Sequence, residues 1–160
     1  MQGSRDGLFK EEYKTWQRTN IENIVAMLRP MQSLHGENVI KLASVAYLSL
    51  IRQRWKRIGD ESGNRSMSEL FSRLWETSKS LFSYEVVQKD ENSLLLVVSS
   101  CFWADEFRRL GAPEIGYELC CMADFYITEG FNPSIIYSRD KTIMRGDSYC
   151  DHHYVMARKQ

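Results

Sequence analysis

The first 100 residues of this chain contain no cysteine, and all four cysteines crowd into the stretch from Cys101 to Cys150. Proline is scarce too, with three in 160 residues, so little in the sequence interrupts regular structure. Charge of one sign is missing: 21 Lys and Arg balance 21 Asp and Glu. A chain of zero net charge has no global field with which to gather nucleic acid or anionic membrane, and neither partner is expected. The same neutrality does nothing to oppose self-association, so a homo-oligomer is compatible with it. No run approaches the roughly 20 apolar residues of a membrane span. The longest, Leu42 to Ile51, is broken by Ser44 and Ser49. The polar start, Met1-Gln2-Gly3-Ser4-Arg5-Asp6, lacks the apolar core of a secretion signal. Four cysteines without such a signal are expected to be reduced thiols in a cytoplasmic protein. Cys-x-x-Cys spacing, a phosphate-cradling glycine loop and Gly-x-Ser-x-Gly are all absent. Neither a metal nor a cofactor is therefore expected.

What is present fits a packed globular domain. The apolar fraction is 43% and the aromatic fraction 12%, and the length suits one domain spanning 1–160. Its first part, 5–82, reads as helical. Ile21, Ile24, Val25 and Leu28 share one helix face, and Pro30 is expected to end that helix. Val39 to Trp55 forms a second helix, apolar almost all round at its start and so expected to be central. Its basic end, Arg52, Arg54, Lys56 and Arg57, reads as solvated charge complementing the helix dipole. Ser66 and Glu69 have capping-box spacing ahead of the stripe Leu70, Phe71, Leu74 and Leu81.

The second part, 83–160, forms the sheet. Tyr84–Gln88 and Leu94–Val98 read as a hairpin, the second strand so continuously apolar that both faces should be covered. Trp103–Leu110 is a short helix ended by Gly111. Pro113 opens another that reaches Gly130 with Ile115, Leu119, Met122 and Tyr126 buried. Strands are expected at Ile135–Tyr137, Lys141–Met144 and Cys150–Ala157. The fold class is α+β: N-terminal helices packed on an antiparallel sheet of four or five strands, with one or two further helices inserted between strands.

Candidate chemistry follows the sulfurs. Cys101 stands between a strand and a helix, where unpaired amides favour a thiolate. Asp124 lies three residues after Cys121 and four after Cys120, and helical spacing pairs it with either. Cys150 and His152 share a strand face, as a nucleophile with its base would. Arg139 and Lys141, at a strand end, suit a substrate carboxylate. The aromatics around Trp103, Phe107 and Phe125 suit a flat apolar ligand, as a binding module or natural-product tailoring enzyme would require.

The C-terminal residues resemble the L-2-amino-thiazoline-4-carboxylic acid hydrolase family. The resemblance lies in Cys101, Leu110-Gly111 to Glu114, Cys121-x-x-Asp124, Phe131-x-Pro133-x-Ile135, Arg139-x-Lys141-Thr142 and Gly146-Asp147-x-x-Cys150-Asp151-x-x-Tyr154. It favours Cys121 over Cys120 as the partner of Asp124. It implies a small-molecule hydrolase that opens a cyclic amidine ring by a cysteine-based mechanism. Cys101, Cys121, Cys150, Asp124 and His152 are then the catalytic candidates. Arg139, Lys141, Thr142, Asp147 and Trp103 are the substrate-binding candidates.

Overall fold

A computed structural model describes residues 2–158, with side chains from Lys10 onward. Helix α1, Gln2–His35, buries Ile21, Val25 and Leu28 as their spacing predicts. Pro30 does not end it. Proline has no amide to bond the Ala26 carbonyl, so the helix continues with one hydrogen bond fewer, at an exposed residue. The helix stops instead at Gly36, whose φ of 77° suits glycine.

Helix α2, Asn38–Ser62, runs past Trp55 to a left-handed Gly63. Its position also differs from expectation. Ile40, Ser44 and Leu48 form a single buried stripe, while Leu42 is 74% and Val45 60% exposed. The helix is a cover rather than a centre. Its basic end is solvated, with Arg52 paired to Glu129 and Lys56 to Asp60. Ser66 caps the short α3, Met67–Phe71, by accepting from the Glu69 amide. A wide π turn, Ser72–Glu76, then brings Trp75 into the core.

Four antiparallel strands follow: β1 Phe82–Lys89, β2 Ser93–Cys101, β3 Ile135–Ser138 and β4 Cys150–Met156, ordered β1-β2-β4-β3. Alternation decides what each presents. Leu94, Leu96 and Val98 are buried, but Leu95 and Val97 are only half-buried, so β2 is fully covered on one face rather than two. On β4 the buried set is Cys150, His152 and Tyr154. Cross-strand pairing sets Val98 opposite Cys150 and Leu96 opposite His152.

Between β2 and β3 stand α4, Phe102–Arg109, α5, Pro113–Gly116, and α6, Ala123–Phe131. A second π turn, Tyr117–Cys121, joins the last two. Such a turn holds an extra residue and rotates everything beyond it. The buried stripe is therefore Ile115, Leu119, Ala123, Ile127 and Phe131, displacing the expected Met122 and Tyr126 to half-buried positions. Helix α6 lies close on α2: a Cβ added to Gly130 would clash with the Arg52 carbonyl oxygen.

The expected strand at Lys141–Met144 is not formed. Side chains claim its backbone donors: Asp151 accepts from the Asp140 and Lys141 amides, Asp147 from Thr142, and the Cys150 sulfur from Ile143. A single 3₁₀ turn, Ile143–Arg145, results.

Candidate active site

The four sulfurs, far apart in sequence, meet. Cys101 ends β2 and stands at the N-cap of α4, Cys120 and Cys121 lie in the second π turn, and Cys150 begins β4. All four line one small chamber of about 60 Å³, together with Asp124, Arg139, His152, Trp75 and Trp103. At roughly 30 Å³ per liquid water, that space suits about two water molecules. A larger cavity of about 520 Å³ adjoins it, between α1, α2 and the helices that carry the cysteines. Trp75, Phe82, Trp103, Cys120 and Asp124 form walls of both.

The rotation introduced by the π turn aims Asp124 inward. Its Oδ2 accepts from Arg139 Nη1 at 2.7 Å and lies 3.5 Å from the Tyr137 hydroxyl. His152 Nδ1 is 3.8 Å from the same oxygen and 2.9 Å from the Tyr137 hydroxyl. Arg139, its side chain only 3% exposed, also donates through Nη2 to the Cys121 carbonyl at 2.9 Å. Every one of these contacts to Asp124 uses Oδ2, and among the described residues none reaches Oδ1. Burial drives the Asp124 carboxyl up to about 6 although Arg139 pulls the other way. Burial, with the Arg139 cation beside it, drives His152 down to about 3. At neutral pH the site thus holds a neutral imidazole and a carboxylate close to its own titration point.

The thiols behave differently from the expectation for a helix N-terminus. The Ala104 and Trp103 amides do act on Cys101, but burial outweighs them and raises its thiol to about 12. Cys121 rises to about 11 through burial, against the pull of Arg139. Burial raises Cys120 and Cys150 as well. Taking a thiolate out of water costs more than the nearby amides and Arg139 return, so these thiols keep their protons.

Among the substrate-binding candidates, Arg139 and Trp103 line the chamber. Thr142 stands behind it, its hydroxyl 3.7 Å from the Cys121 sulfur and 3.8 Å from that of Cys150. Lys141 and Asp147 are not brought to it: Lys141 lies over the Tyr149 ring, and Asp147 accepts from the Thr142 amide. Tyr137, one of the aromatics expected to enclose a ligand, stands against Asp124 and His152, whereas Trp75 had no place among the expected site residues. Trp75 packs edge-on against His152 with ring centroids 4.7 Å apart and donates to the Tyr154 hydroxyl at 3.2 Å. The signal for it was an aromatic one step beyond Leu74 in the third helical stripe.

A family model for L-2-amino-thiazoline-4-carboxylic acid hydrolase matches residues 16–154, most of the chain. The chain belongs to that family. The match takes in the later part of α1 and all of α2 as well as the cysteine-bearing second part. No curated protein matches the chain. Among solved structures, a trafficking protein particle complex subunit 3 from Naegleria fowleri, covalently bound to palmitic acid, is similar at 11% identity and a TM-score of 0.52. The likeness covers 91% of this chain and 97% of that one. The phenol-responsive sensory domain of the transcription activator PoxR, with phenol, is similar at 14% identity and a TM-score of 0.48, over 89% of this chain and 74% of that one. At 11% identity the likeness to the trafficking subunit is one of fold.

Proposed function

We propose that this member of the family hydrolyses a cyclic amidine of the 2-amino-thiazoline-4-carboxylate type, with Asp124 moving the protons. The observation that carries this reading is the Asp124 carboxyl itself. It is raised to about 6, tied through one oxygen and open through the other, at the junction of two cavities. A group titrating near neutrality is well matched to general acid–base work at that pH.

In this reaction the carboxylate takes a proton from water as the water oxygen adds to the amidine carbon. The C=N electron pair moves to the ring nitrogen, which receives that proton from Asp124. A second proton, from the new hydroxyl, travels to the same nitrogen by the same route. The C–N bond breaks, a carbonyl forms and the ring opens to a carbamoyl-cysteine-type product. Arg139 keeps the carboxylate in place, and neutral His152 holds the Tyr137 hydroxyl beside it.

A cysteine-based route is the second reading. Cys101 has the α4 amides and Cys121 has Arg139 to steady the thiolate formed as the thiol proton leaves during attack. A ring-opening assay on single variants separates the two. Asp124→Asn should lower turnover by about 10²–10⁴, and kcat/KM in the parent should rise with pH through about 6 as the base ionises. Cys101→Ala and Cys121→Ala should retain activity. Loss of turnover in either alanine variant with its fold intact transfers the role of nucleophile to that sulfur.

A further inference from the structure

The larger cavity is out of proportion to a bare aminothiazoline. We propose that the substrate is an elongated one, whose amidine head meets Asp124 while an apolar substituent fills the space between α1 and α2. This deepens the hydrolase reading and rests on it for the chemistry of the head.

Three features argue for the substituent. The first is volume: about 520 Å³ falls within the roughly 300–1,000 Å³ that encloses drug-sized ligands. One five-membered ring bearing an amino group and a carboxylate leaves most of it empty. The second is the wall. Ile24, Ile51, Leu74, Phe107, Leu119 and Ile127 line it, and Arg54 and Asp124 are the only charged residues among the described lining. Apolar surface of that extent is matched by hydrocarbon or an aromatic group, not by a second polar one. The third is the fate of the inner cation. Arg139 already serves the Asp124 carboxylate and the Cys121 carbonyl, and it faces the small chamber, not the large cavity. Recognition in the larger space therefore falls mainly to shape and apolar contact, with Arg54, Gln17, Asn20 and Asn23 among its polar groups beside Asp124.

The test uses the unaltered protein and a homologous series: 2-amino-thiazoline-4-carboxylate and its methyl, butyl, hexyl and octyl amides. Trp16, Trp75 and Trp103 line the cavity, so tryptophan fluorescence reports occupancy while product analysis reports ring opening. Each buried methylene should raise affinity and kcat/KM about fourfold, the equivalent of roughly 0.8 kcal/mol, until the cavity is full. The hexyl amide should exceed the methyl amide by at least about 10²-fold. Ring opening of the bare acid with no gain, or a loss, along the series overturns the elongated substrate and leaves the hydrolase reading standing. Length-dependent binding of the longer amides with no ring opened for any member overturns the hydrolase reading and keeps the apolar occupant, now as the ligand of a binding protein. Neither binding nor opening overturns both.

Discussion

His152 and Asp124 make opposite demands on the fold as pH changes, and replacing His152 by Asn separates them. An unfolded imidazole takes up a proton below its ordinary 6.5, whereas folded His152 stays neutral down to about 3. Its folded pKa is depressed, so the unfolded chain binds more protons across that window and stability falls as pH falls. Asp124 runs the other way. An unfolded carboxyl has ionised above 3.8, but the folded one keeps its proton to about 6, so stability falls as pH rises across that window. At about 1.36 kcal/mol per pH unit for each group, the two slopes nearly cancel between roughly pH 4 and 6. His152→Asn keeps a hydrogen-bonding partner for the Tyr137 hydroxyl and removes the imidazole. At pH 7 the variant should be less stable by about 1–2 kcal/mol, from lost packing on Trp75. By pH 4 it is relieved of a penalty that costs the parent roughly 3 kcal/mol, so the two stability curves should cross between those values. Urea titrations followed by tryptophan fluorescence at several pH values measure this, and the difference between variant and parent removes the contribution of every other carboxylate. An offset that stays constant from pH 7 to 4 would show that the imidazole protonates normally inside the fold, and the account of the buried site would fail.

The thiols offer an independent check on the same burial. With Cys101 raised to about 12 and Cys121 to about 11, their alkylation by iodoacetamide at pH 8 should be roughly 10²–10³ slower than that of a free thiol. Mass spectrometry of labelled peptides, with and without denaturant, reads the difference. Arg139→Met leaves Asp124 buried beside no cation and should cost about 3–5 kcal/mol at pH 8, with less lost at pH 5, where the carboxyl takes up a proton. Denaturation midpoints at the two pH values test that ordering. Gly130→Ala should destabilise by about 1–3 kcal/mol, because the added methyl meets the backbone of Arg52 and not a side chain that can swing away. A thermal melt at the level of the parent would mean that α2 and α6 separate readily.

The fold class, the helical first part, the β1–β2 hairpin and the family were all legible along the chain. Those rest on local signals: apolar spacing, the Ser66 cap, glycines at turns and ordered motifs near the C-terminus. Alternation along β4 was equally legible and set Cys150 and His152 on one face, which the fold buries. Other features depend on which parts of the chain meet in the fold, and no local pattern records that. Pro30 sits inside a helix at an exposed position, and α2 lies at the edge with Leu42 and Val45 turned to solvent. No local pattern distinguishes an α turn from the π turn at Tyr117–Cys121, yet that extra residue moves the buried stripe and aims Asp124 inward. Backbone donors at 140–143 went to carboxylates and a sulfur from elsewhere in the chain, which erased a strand. The protonation of the site belongs to the same class. Position at a helix start favoured a Cys101 thiolate, but desolvation depends on everything packed around the sulfur, and only the folded chain sets that.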